Sequence, residues 1–239
     1  MLNDSSTSVE TPPAVKQKIP VYFMPGMAAS PAIFEYLQLD EDRFDLVYLS
    51  WKMPEGGESL KHYVKRYLPE IKHEQPVLIG VSFGGIIVQE LAQLVAVRRV
   101  IIISSIKTHL EMPRRLRWAK SMKLYKLLPT QWAQKIESLS DWPVGNYTRK
   151  RAKWYKKYLS VHQKEYLDWS LEQILHWKQE KPLPGLVHIH GTEDPIFPVK
   201  YIQNYIPVQG GTHAMIIERF RWFNEHLPAY IEQGVLVDE

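Results

Sequence analysis

The chain has 239 residues with a formal net charge of +4, and 45% of the residues are hydrophobic, which predicts one large domain, or a domain with an insertion, around a substantial core. It contains no cysteine, which excludes disulfides, thiolate metal sites, iron–sulfur clusters and cysteine nucleophiles. The longest nearly uninterrupted apolar run, residues 77–88, is far shorter than the ~18 residues that a membrane span needs. The N-terminus carries acids and hydroxyls where a secretory signal has bases and an apolar stretch, so we expect a cytoplasmic protein without a transmembrane segment.

Short apolar runs alternate with helical patterns along most of the chain. Residues 1–18 contain two adjacent prolines and no periodicity, and we expect them to form a flexible tail. Apolar side chains at helical spacing follow Ser59, which is a candidate N-cap, and recur over 216–233. The runs that predict strands are Val21–Met24, Phe44–Leu49, Pro76–Val81, Val100–Ile103, Gly185–His190 and Tyr205–Val208. The alternation predicts an α/β fold, with a mostly parallel sheet of about six strands covered by helices on both faces.

Residues 107–182 interrupt this alternation with a segment of different composition. From Lys107 to Lys181 there are 17 Lys and Arg against 7 Asp and Glu, and the segment holds six of the eight tryptophans. Helical patterns are predicted at Arg114–Leu128, Gln131–Leu139, Tyr147–Leu159 and Lys164–Lys178. Such a block predicts a basic helical insertion between two parts of a core, residues 19–106 and 183–239.

The strongest chemical motif is Gly80-Val81-Ser82-Phe83-Gly84, which matches G-x-S-x-G. A predicted strand runs into it and a predicted helix runs out of it, which is the context that a nucleophile elbow requires. There the serine sits on a sharp, strained turn, and the N-terminal amides of the helix favour developing negative charge. We therefore predict that Ser82 is a nucleophile; the alternative is an ordinary glycine-rich turn with a surface serine.

A nucleophilic serine needs a base, and the base needs an orienting acid. His213 follows Gly210-Gly211-Thr212 just after the last predicted strand, so it is the candidate base, whereas His188 and His190 lie on a predicted strand where a structural role is expected for one of them. Asp194 follows the fifth predicted strand and precedes a proline, which makes it the candidate acid, with Glu193 as its rival.

These motifs and their order resemble the α/β-hydrolase fold superfamily: G-x-S-x-G at Ser82, G-x-x-D-P at Asp194 and G-G-x-H at His213. The resemblance covers about residues 19–104 and 183–233 and implies that the family's first two strands are missing. It also implies that residues 107–182 are an inserted lid. The family's oxyanion hole implies two backbone donors here, the amides of Phe83 and Met27.

The implied function is that of a serine hydrolase that cleaves a carboxylic ester or thioester through an acyl-enzyme, without a metal or organic cofactor. A lyase, C–C hydrolase or acyltransferase could use the same residues, and a non-catalytic binding module is a third class. The expected partner is a small-molecule acyl substrate, and the basic lid suits either an anionic portion of that substrate or peripheral contact with an anionic membrane surface. Simple solvation of the basic helices is the plainer reading, and no nucleic-acid binding is expected.

Overall fold

The computed structural model describes residues 17–121 and 157–234 of the chain. Six strands form one sheet in the order β2-β1-β3-β4-β5-β6, and every neighbouring pair is parallel. The strands are β1 Ile19–Met24, β2 Phe44–Tyr48, β3 Val77–Val81, β4 Arg99–Ile103, β5 Val187–Gly191 and β6 Ile206–Val208. The predicted α/β fold and its six strands are confirmed, and no antiparallel strand joins the sheet within the described residues.

Helices connect the strands. Ser59 begins the first of them as predicted, because its side chain accepts a hydrogen bond from the amide of His62. The helices are α1 Leu60–Lys65, α2 Phe83–Leu91, α3 Arg114–Ser121, α4 Lys164–His176, α5 Met215–Glu218 and α6 Phe220–Gln233. Short 3₁₀ turns occur at Pro31–Phe34, Leu68–Glu70, His109–Glu111 and Val199–Tyr201. The helical pattern predicted over 216–233 is thus divided at Arg219, whose ψ of 27° ends one helix and precedes the next.

The sheet is covered on both faces, as predicted. Alternate residues of β1 point to opposite sides, so Tyr22 and Met24 pack in one core with α1 and α2, while Val21 and Phe23 pack in the other with α6. All four side chains are almost fully buried. Burial on both faces explains why the strands are continuous in apolar residues.

Part of the predicted insertion falls within the described residues. The helix predicted from Arg114 is present as α3, and the helix predicted from Lys164 is present as α4. The helix predicted over 131–139 and most of the one predicted over 147–159 lie outside the described residues, as does nearly all of the tail predicted for residues 1–18. In the parts of the chain that are described, no helix has the length and apolar character needed to cross a bilayer.

Candidate active site

Ser82 lies on a sharp turn between β3 and α2. Its backbone has φ 53° and ψ −118°, a conformation that non-glycine residues rarely adopt and that costs free energy unless the surroundings hold it. The Ser82 amide donates to the carbonyl of Ile103 at 2.9 Å, and the Ser82 carbonyl accepts from the amide of Gly85 at 2.9 Å. These bonds fix the serine backbone at the carboxyl edge of the sheet.

The two glycines of the motif allow this turn to pack closely. A Cβ atom on Gly80 would collide with the carbonyl group of Gly84, so the strand and the helix meet with no room for a side chain. A Cβ on Gly84 would collide with the carbonyl oxygens of Met24 and Pro25 at the end of β1. The glycines of G-x-S-x-G are therefore explained by close backbone approach.

The three residues predicted as nucleophile, base and acid lie together. His213 Nε2 is 2.9 Å from Ser82 Oγ, and His213 Nδ1 is 2.8 Å from Asp194 Oδ2. A carboxylate only accepts hydrogen bonds, so Nδ1 carries a proton and Nε2 is left to accept the proton of the serine hydroxyl. This geometry lets the imidazole act as a base toward Ser82.

Asp194 is held as an ionised, oriented carboxylate. It is buried, and its Oδ1 atom accepts from the amides of Ile196 at 2.7 Å and Phe197 at 3.0 Å. Burial raises the pKa of Asp194, but the hydrogen bond and charge of His213 outweigh it, and the pKa lies below its ordinary value. No hydrogen bond joins the rival Glu193 to His213 among the described residues.

Asp194 and His213 meet because the loops after β5 and β6 touch. A Cβ on Gly191 would collide with the carbonyl group of Gly211, and the Glu193 amide donates to the Gly211 carbonyl at 2.9 Å. Gly191 and Gly211 therefore allow the two loops to approach closely, whereas the positive φ of 62° at Gly210 favours glycine there.

A second histidine lies behind Asp194. His190 is fully buried, and its Nε2 is 2.8 Å from the Phe197 carbonyl and 3.5 Å from Asp194 Oδ2. Its Nδ1 is 3.0 Å from His188 Nε2, so His188 donates to His190, which donates in turn to Phe197. Burial lowers the pKa of both histidines, which keeps them neutral. The sequence indicated a structural role for one of these histidines, and the structure buries both.

The loop Pro25–Ser30, which we call the donor loop, lies against Ser82. A methyl group on Gly26 would stand 3.4 Å from Ser82 Cβ, and Ala28 has a positive φ of 66°. Met27 belongs to this loop and Phe83 is the first residue of α2. Within the described residues, neither the Met27 nor the Phe83 amide donates to another protein group, so both remain available as the predicted oxyanion donors.

The C-terminal part of segment 107–182 contacts both the donor loop and the turn that carries Ser82. The Ser30 amide donates to the Tyr158 carbonyl, and the Val161 amide donates to the Ala28 carbonyl, each at 3.0 Å. Helix α4 then places the Trp169 ring 6.0 Å from the ring of Phe83. The end of the segment therefore packs directly beside the serine turn.

Among the described residues, no cluster of three or more His, Asp or Glu side chains is arranged to hold a metal ion. The groups that the site presents around Ser82 are a hydroxyl, an imidazole, a carboxylate and backbone amides.

Comparisons with known proteins identify the architecture. A family model described as "Uncharacterised protein family (UPF0227)" matches residues 25–140. No curated protein matches the chain.

Solved structures match over nearly the whole chain at low identity. An esterase from Exiguobacterium antarcticum is 16% identical with a TM-score of 0.66, covering 90% of this chain and 92% of its own. A bromoperoxidase from Bacillus anthracis is 15% identical with a TM-score of 0.65, covering 91% and 93%. A thermophilic esterase from Thermogutta terrifontis is 12% identical with a TM-score of 0.62, covering 90% of each chain. The chain therefore has the α/β-hydrolase fold that its motifs predict.

Proposed function

We propose that this protein is a serine hydrolase that cleaves a carboxylic ester or thioester. The observation that carries the proposal is the continuous chain from Ser82 Oγ to His213 Nε2 at 2.9 Å and from His213 Nδ1 to Asp194 Oδ2 at 2.8 Å. Esterases are among the proteins that share this fold, which supports the reaction class. A bromoperoxidase shares it as well, so the site and not the fold must carry the argument.

The reaction proceeds in two halves. In the first, Ser82 Oγ attacks the carbonyl carbon while His213 Nε2 takes the hydroxyl proton, and the carbonyl oxygen becomes an oxyanion facing the amides of Met27 and Phe83. The tetrahedral intermediate collapses, and the alcohol or thiol leaves with the proton from His213. In the second half, water attacks the acyl-serine, His213 takes the proton of the water, and the acid is released with Ser82 restored.

Asp194 supports both halves while it remains ionised. Its carboxylate keeps the His213 ring in the orientation and tautomer that Ser82 needs, and its negative charge stabilises the imidazolium formed in each half. The hydrogen bonds from the backbone amides of Ile196 and Phe197 hold that carboxylate in place.

The basic segment supports an anionic substrate only weakly. Lys107 donates to the carbonyls of Gln203 and Asn204, and Arg115 donates to those of Pro195 and Ile196. Lys164 pairs with Asp168. Within the described residues these three cations serve structural contacts, so we assign none of the three to an anionic portion of the substrate.

We also propose that residues 107–182 form a lid over the site. The support is the position of α4, whose Trp169 and Tyr166 rings lie 6.0 Å from Phe83 and 5.3 Å from the Trp51 ring respectively. A cover of this kind limits the entry of water and strengthens the electrostatic interactions within the site.

A fluorophosphonate probe tests the proposal directly. Wild type should be labelled covalently at residue 82, and Ser82→Ala should lose the label while keeping its far-ultraviolet circular dichroism spectrum. Folded wild type that takes no label would overturn the proposal.

Hydrolysis of p-nitrophenyl esters and acyl thioesters of graded chain length should then be lost in Ser82→Ala. If every ester and thioester were inert while labelling persisted, the reaction would belong to the lyase, C–C hydrolase or acyltransferase class.

A further inference from the structure

Trp51 contacts both parts of the chain that carry the backbone donors of the proposed oxyanion hole, the donor loop and Phe83. It follows β2 at the carboxyl edge of the sheet, outside every motif of the sequence. Its indole Nε1–H donates to the carbonyl oxygen of Gly26 at 2.9 Å. The interaction is thus made with the donor loop beside Ser82, and not with the serine itself.

The Gly26 carbonyl and the Met27 amide belong to one peptide group. Because that group is planar and trans, its C=O and N–H point in opposite directions, and fixing the oxygen fixes the direction of the N–H. The Gly26 oxygen accepts a second hydrogen bond, from the Ala29 amide at 3.0 Å. The indole and the turn of the loop therefore determine together where the Met27 N–H points.

The same indole packs against the residue that carries the other donor. The rings of Trp51 and Phe83 are stacked, with centroids 5.1 Å apart and planes 10° from parallel. The rings of Tyr63 and Tyr166 lie 6.4 Å and 5.3 Å from that of Trp51. The indole is therefore held by aromatic neighbours in the orientation that its hydrogen bond to Gly26 requires.

We propose that Trp51 is a positioning residue, which sets the separation and direction of the Met27 and Phe83 amides toward the oxyanion. The inference rests on the proposed function and adds a residue that acts through both donors. An oxyanion hole stabilises charge that exists only in the transition state, so loss of the Trp51 bond should lower kcat and leave KM nearly unchanged.

The test removes the N–H and keeps the aromatic packing. Trp51→Phe should lower kcat about 10- to 100-fold, which is less than the loss of about 10²–10³ seen when a donor is removed outright. Replacement of Trp51 by 3-benzothienylalanine, which preserves the bicyclic ring, should give a similar loss without disturbing the stack. The inhibition constant of a trifluoromethyl ketone, which forms a tetrahedral adduct with the serine, should rise in parallel with the fall in kcat/KM.

Trp177→Phe is the matched control, because the Trp177 indole donates at 2.7 Å to Glu90 Oε1 in the core, away from the donor loop. It should keep wild-type kcat, and every variant should remain folded by circular dichroism.

Different experimental outcomes would overturn this inference and the proposed function. Wild type that neither labels nor hydrolyses any acyl substrate overturns both. Active wild type with an unchanged kcat in the benzothienylalanine protein overturns only the role of Trp51. A rise in KM at constant kcat in the Trp51 variants would also overturn this role, because it would assign Trp51 to substrate binding. An equal loss of kcat in Trp177→Phe would overturn it as well.

Discussion

The hydroxyl of Ser105 donates to the carbonyl oxygen of Ser82 at 2.7 Å, so the loop after β4 supports the backbone of the proposed nucleophile. Ser105 is fully buried and lies beside Gly85 in the first turn of α2. The strained conformation of Ser82 is thus held by contacts from the neighbouring strand as well as from its own helix.

We expect Gly85→Ala to destabilise the protein, although alanine is ordinarily favoured over glycine in a helix. The new Cβ would stand 2.5 Å from Ser105 Oγ and 2.7 Å from Ser105 Cβ, which forces a local shift. Overpacking of this kind costs about 1–3 kcal/mol in the free energy of unfolding, measurable by urea denaturation. In the double variant Gly85→Ala/Ser105→Gly the clash is removed, so the two costs should be less than additive. Full additivity would contradict this account of Gly85.

Asp194→Asn should fold and lose nearly all of its activity. The asparagine oxygen can still accept from the Ile196 and Phe197 amides, but the neutral amide no longer holds the productive tautomer of His213. We expect kcat for an acyl ester to fall by about 10⁴-fold. Glu193→Gln is the control and should keep wild-type kcat; comparable losses in the two variants would reopen the assignment of the acid.

The stability of the protein should fall as the pH drops below 6.5. Burial, followed by the electrostatic influence of His190 and Lys107, lowers the pKa of His188 well below its ordinary value of 6.5. Below pH 6.5 the unfolded chain binds a proton at His188 that the folded chain does not bind. The free energy of unfolding therefore falls by up to about 1.4 kcal/mol per pH unit for this histidine. Urea denaturation from pH 7.5 to 5.5 should show a shallower dependence in His188→Asn. An unchanged slope would mean that the folded protein accommodates the imidazolium.

Tyr158→Phe should loosen the contact between the end of the inserted segment and the core. The phenol of Tyr158 donates to Glu35 Oε1 at 2.5 Å, and Lys157 pairs with the same carboxylate. Loss of a hydrogen bond to a charged group should lower the free energy of unfolding by about 1.5–3 kcal/mol. Glu35→Gln, which keeps an acceptor oxygen for the phenol, should cost less, and a larger cost in this control would assign the effect to the ion pair instead.

The sheet and the candidate triad could be predicted because their signals are local. Each strand is a short apolar run with turn residues around it, and Ser82, Asp194 and His213 each follow such a run with diagnostic glycines or prolines. In a parallel sheet the carboxyl ends of the strands share one edge, so these three positions were expected to converge.

Trp51 and the pairing of His188 with His190 could not be predicted in the same way. A single tryptophan after a strand has no periodicity, and its bond to Gly26 depends on how two loops pack in space. Which nitrogen of each buried histidine donates depends on the Phe197 carbonyl, and the position of that carbonyl is set by how the loop after β5 folds back. The break between α5 and α6 at Arg219 could not be predicted either, because the apolar pattern of the sequence continues across it.

The two backbone bonds that join Ala28 and Ser30 to Val161 and Tyr158 have a consequence for enzyme engineering. Excising residues 107–182 would remove both anchors of the donor loop, together with helix α4, which packs beside the serine turn. On the proposed function, the truncated protein would therefore lose reactivity together with selectivity, and point substitutions on the face of α4 that packs beside Phe83 are the better route to a changed substrate range.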